Sequence, residues 1–121
     1  MLSNQNRIKK KKDFDTTFKN SKSFKNNFFI FKVAKNNLKI NRFGFVISSK
    51  VSKKAVIRNK IKRRLSEIIK SEFKNIPLEK KTSQGMDLVI IVLPGLENKN
   101  FSEIKENIKK LLIKASLIVE K

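Results

Sequence analysis

A chain of 121 residues with 39% hydrophobic and 33% charged residues has apolar material for one modest core and far too much charge for a membrane-embedded protein. With no Cys and no His, disulfides, thiol or imidazole catalysis and the usual zinc ligand sets are excluded. Thirty Lys and Arg against ten Asp and Glu give +20, and so basic a surface attracts polyanions, nucleic acid first among them.

The first twelve residues contain no apolar run suited to a signal peptide, and the longest apolar stretch, Leu88 to Leu93, is too short to span a bilayer. A cytoplasmic location is expected, with one domain over residues 1–121 and a basic lead-in over about 1–12. Asp13 to Phe18 places Phe14, Thr17 and Phe18 at helical spacing, with Asp13 and Asp15 suited to a positive helix start. This predicts a short first helix.

Phe28 to Val33 is aromatic and β-branched, with Phe29, Phe31 and Val33 on one face and Phe28, Ile30 and Lys32 on the other. Asn36-Asn37 marks a turn, and Arg42 to Ser48 alternates again, so the two runs are expected to pair as an antiparallel hairpin. A third strand in this half stays open. After a loop over 49–53, Ile57, Ile61, Leu65, Ile68, Ile69 and Phe73 recur at three- and four-residue intervals, the stripe of a helix packed on a sheet, and Pro77 ends it. The continuous apolar run Leu88 to Leu93 reads as a strand covered on both faces and stops at Pro94-Gly95. From Asn100 to about Val119, Ile104, Ile108, Leu111, Leu112 and Ala115 form a further helical stripe, with Asn100 and Glu103 as an N-terminal capping pair.

The charge is unevenly placed. Residues 1–64 carry 20 bases against Asp13 and Asp15, a net +18, whereas residues 65–121 carry 10 bases against 8 acids, a net +2. A codon bias toward Lys would spread it evenly. The concentration peaks in Lys53 to Leu65, KKAVIRNKIKRRL, where seven bases are interleaved with apolar residues and no acid occurs between Asp15 and Glu67. On a helix, Ile57, Ile61, Leu65 and Ile68 share one side while Arg58, Asn59, Lys60, Lys62, Arg63 and Arg64 sweep the remainder. Like charges three and four residues apart destabilise a helix, and phosphates relieve that repulsion.

These residues resemble the bacterial ribonuclease P protein family, whose signature helix carries an Arg-Asn-Arg core followed by basic residues, matched here by Arg58-Asn59-Lys60-Ile61-Lys62-Arg63-Arg64. Phe43-Gly44-Phe45-Val46-Ile47-Ser48-Ser49-Lys50 is similar to the family's strand and Ser-Lys-Lys loop at the same spacing. Asn6 to Lys10 with Asp13-Phe14 and Phe18 is similar to its start, and Asp87 to Val92 to its late strand. Two positions depart: Lys60 stands for the third residue of the core and Ser49 for the first Lys of the loop. Lys keeps the charge at position 60 but lacks the planar fork of Arg.

The resemblance implies an α/β (α+β) two-layer sandwich of the ribosomal protein S5 domain 2-like type, with about four strands, three helices and a left-handed βαβ crossover, against the general right-handed preference. It also implies the protein subunit of ribonuclease P, which binds the catalytic RNA and the 5′ leader of precursor tRNA and assists removal of that leader. The RNA-contacting residues are then Lys50, Lys53, Lys54, Arg58, Asn59, Lys60, Lys62, Arg63 and Arg64. A cleft between the first helix and the sheet takes the leader, with Lys10, Phe14, Phe18 and Phe31 in it and the three Phe rings exposed for stacking on unpaired bases. No protein catalytic constellation is expected, since the acids are scattered and histidine is absent. Chemistry is expected from the RNA with Mg2+, held mainly by the RNA, and Asn59 is the expected protein contact to a metal near the start of the signature helix.

A ribosomal or other structural RNA-binding protein would share the charge and size, but has no reason to repeat the signature helix with its upstream strand and loop. A DNA-binding module would place the basic helix in a helix-turn-helix pair. A membrane-surface role would need a broad apolar face bordered by Trp or Phe.

Overall fold

The computed structural model describes residue 8 and residues 11–35, 41–74, 86–96 and 99–114. Along these run α1 (Lys11–Asn20), β1 (Lys22–Lys25), β2 (Phe29–Lys35), β3 (Arg42–Val46), α2 (Ala55–Lys74), β4 (Met86–Val92) and α3 (Phe101–Lys114). The strands form one mixed sheet in the order β1-β2-β4-β3. β1 pairs antiparallel with β2, β2 antiparallel with β4, and β4 parallel with β3.

The expected hairpin of Phe28–Val33 with Arg42–Ser48 does not form, because β4 lies between β2 and β3. The reason is in β4 itself. Leu88, Val89, Ile90 and Val92 are all buried, and a strand apolar on both sides gains most in the interior of a sheet, not at its rim. The insertion makes β3–α2–β4 a crossover between adjacent parallel strands. The additional strand is β1, Lys-Ser-Phe-Lys, a short edge strand with exposed lysines of the kind that keeps an edge from pairing with other chains.

Register sorts the side chains, since directly opposed residues share a face. Phe24, Phe31, Ile90 and Phe45 lie in one row, and with Phe29, Phe43, Leu88 and Val92 they face the core that Ile61, Leu65, Ile68 and Ile69 of α2 and Ile104, Ile108, Leu111 and Leu112 of α3 complete. α3 begins on the expected cap: the Glu103 amide donates to Asn100 Oδ1 at 2.9 Å. Ala115, expected to extend its stripe, lies outside the described residues.

The opposite face belongs to α1. Its rows are Ala34-Asp87-Arg42, then Ser23-Lys32-Val89-Gly44, then Lys25-Ile30-Ile91-Val46. α1 packs on β2 and β4. The Thr17 hydroxyl donates to Asp87 Oδ2 at 3.4 Å, and Arg42 donates to both Asp87 oxygens, from Nε at 2.9 Å and from Nη2 at 2.7 Å. Beside this anchor, the Ile8 amide donates to the Phe43 carbonyl at 2.9 Å.

Candidate nucleic-acid interface

Two surfaces gather the basic and aromatic residues that the sequence singles out, one on α2 and the loop before it, the other between α1 and the sheet. α2 buries Ile61, Leu65, Ile68 and Ile69, which turns the rest of its first three turns outward. Lys53, Lys54, Asn59, Lys60, Lys62 and Arg63 are exposed, as is Lys50 in the preceding turn, while Arg58 and Arg64 are half-buried. The first turn of α2 has no acid, although a helix N-terminus carries partial positive charge that acids ordinarily offset. An array of cations at that end of a helix is stabilised by an external polyanion.

Arg58 differs from its neighbours. Its Nη1 donates to the Ser52 carbonyl at 2.9 Å, and Ser52 Oγ in turn accepts from the Lys54 amide at 3.2 Å. The guanidinium thereby ties the Lys50–Lys54 loop to the helix while keeping further donors for phosphate. Val56 was not among the sequence-derived candidates, yet it is 79% exposed and shares a helical face with Lys60 and Arg63. Its signal was available: it falls outside the Ile57-Ile61-Leu65 stripe.

On the second surface, α1 forms a wall over the sheet. Phe18 is 39% exposed and Phe14 half-buried, with ring centroids 6.5 Å apart and planes inclined at 40°. Ile30, Lys32, Val46 and Ile91 on the α1 face of the sheet remain half-exposed and form a floor of apolar side chains and one cation beside that wall. Phe31 does not belong to it. Its ring is fully buried on the opposite face, 6.3 Å from Phe29, so it supports the core and offers no stacking surface. Strand alternation gives the cleft Ile30 and Lys32 in its place. Lys10 lies outside the described residues.

Among the described residues, no group of three or more His, Cys, Asp or Glu is placed to hold a metal ion. Asn59 is exposed on α2, and its amide oxygen is of the hard type that Mg2+ accepts beside the waters it keeps. No helix among the described residues is long and apolar enough to cross a membrane.

The family model for ribonuclease P matches residues 2–116. The ribonuclease P protein component of Clostridium kluyveri is 39% identical over 111 residues, covering 92% of this chain and 95% of that protein. Among solved structures, the Staphylococcus aureus RNase P protein superposes with a TM-score of 0.77 at 28% identity, over 91% of this chain and 94% of its own. The Thermotoga maritima RNase P protein gives 0.74 at 32% identity, over 88% and 94%.

Proposed function

The chain belongs to the ribonuclease P protein family, and from that premise we propose how its two surfaces divide the work of a tRNA-processing ribonucleoprotein in the cytoplasm. The α2 face, with Lys50, Lys53, Lys54, Arg58, Lys60, Lys62, Arg63 and Arg64, binds the ribonuclease P RNA. The trough between α1 and the sheet takes the single-stranded 5′ leader of precursor tRNA. The RNA and its Mg2+ ions carry out the hydrolysis, and the protein raises substrate affinity. The observation that carries this reading is the exposed, cationic and acid-free stretch of the first three turns of α2 with the loop before it.

The deciding experiment is cleavage of precursor tRNA by a bacterial ribonuclease P RNA at low magnesium, with and without the protein. The protein is expected to lower the magnesium requirement of the RNA and to be inactive alone. Robust cleavage by RNA-free protein that survives micrococcal nuclease treatment would sink the proposal.

For the trough, the expected result concerns Phe18. A base stacked on an aromatic ring is worth roughly 1–3 kcal/mol, so Phe18→Ala is expected to weaken binding of leader-bearing precursor by about one to two decades. Binding of mature tRNA and assembly with the RNA stay as they were. Because the ring keeps 39% of its surface exposed, the melting temperature should fall only modestly, and a drop of the size a core Phe gives would reassign Phe18 to the fold.

A further inference from the structure

We propose that Gly44 sets the depth of the trough between α1 and the sheet, as a positioning residue that acts through the ring of Phe14. The inference rests on the leader-binding reading above and assigns a role to a residue that touches no nucleotide in it.

Gly44 is buried at the middle of β3, on the α1 face, in the row Ser23-Lys32-Val89-Gly44. A methyl group built on its Cα would lie 2.5 Å from Phe14 Cε1, 2.7 Å from Phe14 Cζ and 3.4 Å from Ile8 Cβ. The first two separations are well inside van der Waals contact, which begins near 3.5 Å between carbons. The ring of Phe14 therefore rests directly on the backbone of β3, in space that any side chain at position 44 would fill. β-branched and aromatic residues suit strand interiors better than glycine does, and a glycine there marks the close approach of another group. Phe45 and Val46 follow that preference; Gly44 does not, and the group that approaches is Phe14.

The atoms that would be displaced are the far edge of a ring, not backbone. α1 is separately held by the hydrogen bond from Thr17 to Asp87, a carboxylate that Arg42 fixes in place from β3. A methyl at position 44 is thus relieved by lifting the Phe14 ring off the sheet while α1 stays anchored. Once lifted, the ring enters the trough and presses toward Phe18, 6.5 Å away. Room for a base beside Ile30, Lys32 and Ile91 is lost. Gly44 is in this way a steric determinant of what the trough admits, and the Phe14 ring at rest on it forms part of the wall.

The test uses the protein assembled with ribonuclease P RNA and compares affinities for precursor tRNA and mature tRNA. Gly44→Ala is expected to lower precursor affinity about tenfold, leaving mature tRNA binding and assembly with the RNA unchanged. In a Phe14→Leu background, which shortens the side chain that would be displaced, adding Gly44→Ala is expected to cost little further precursor affinity, so the two substitutions are not additive. A merely structural role for Gly44 would not give this split between two tRNAs or its disappearance beside a smaller neighbour. Unchanged precursor affinity in Gly44→Ala, in an assembly whose preference for precursor Phe18→Ala does abolish, would overturn the role of Gly44 and leave the leader reading standing. Equal losses for both tRNAs with a lowered melting temperature, unrelieved by Phe14→Leu, would overturn it too. A wild-type assembly with no preference for precursor over mature tRNA would remove the leader reading and this inference together.

Discussion

Replacing Lys60, Lys62 and Arg63 together by Ala is expected to weaken binding to ribonuclease P RNA by about two to three decades near 0.1 M salt. The three side chains are exposed on α2 and make no part of the core, so the fold should be unaffected. Each phosphate neutralised contributes roughly 0.7–0.9 to the slope of log affinity against log salt. Three such contacts, taken over the tenfold range from about 1 M, where they are screened out, to 0.1 M, account for the expected loss. The salt slope should fall by about 2–3 at the same time. Lys105, Lys109 and Lys110 on α3 provide the control, because they lie in the half of the chain where 10 bases face 8 acids, against 20 bases and 2 acids in residues 1–64. Filter binding of both triple variants across a salt series decides the matter. Equal losses and equal slopes would mean that the charge acts diffusely and that α2 has no special place. Arg58 is a less clean probe than Lys60, Lys62 and Arg63, because its bond to the Ser52 carbonyl means that Arg58→Ala also frees the Lys50–Lys54 loop, mixing two causes in one measurement.

The α2 surface was legible in the sequence because one periodicity carries both halves of the argument. The Ile57-Ile61-Leu65-Ile68 stripe fixes which side is buried, and whatever is not on it faces outward. β2 offers no such asymmetry. Phe29, Phe31 and Val33 alternate with Ile30, Lys32 and Ala34, and both sets are apolar enough to be core. Alternation alone therefore separates the two faces without saying which one meets α2 and α3. Placing Phe31 in the cleft took the wrong face; Lys32, the one charge within Phe29–Val33, was the residue that pointed to the open side. The hairpin expected between β2 and β3 fails for a different reason. Local turn signals at Asn36-Asn37 say that the chain reverses, but they carry no information about a later strand inserting between the two. Only the uninterrupted apolar character of β4 hinted at a central place. β1 has a single apolar residue in four, and its pairing with β2 comes from the sheet and not from its own sequence.

The other large effect is expected in the anchor that holds the wall of the trough. Asp87 is 6% exposed and takes both arms of the Arg42 fork, and the Thr17 hydroxyl, itself 1% exposed, donates to it from α1. Three elements, α1, β3 and β4, thus meet on one carboxylate. Taking away one partner of a buried ion pair typically costs 3–5 kcal/mol, because the other charge is left desolvated. The Arg42 side chain keeps 18% of its exposure, so Asp87→Ala is expected at the lower end, about 3 kcal/mol. For a chain of this size that lowers the melting temperature by roughly 10 °C. Replacing both partners by apolar residues, Asp87→Leu with Arg42→Leu, removes the stranded charge and is expected to cost less than Asp87→Ala alone. Thermal unfolding of the two variants beside the wild type gives the comparison. If the double replacement proved the worse of the two, the pair would be contributing more through its geometry than its desolvation takes away, and the hold on α1 would depend on the charges themselves. In either case the loss should fall first on α1, visible as faster amide exchange in Lys11–Asn20 than in α2, since α2 packs on the opposite face of the sheet.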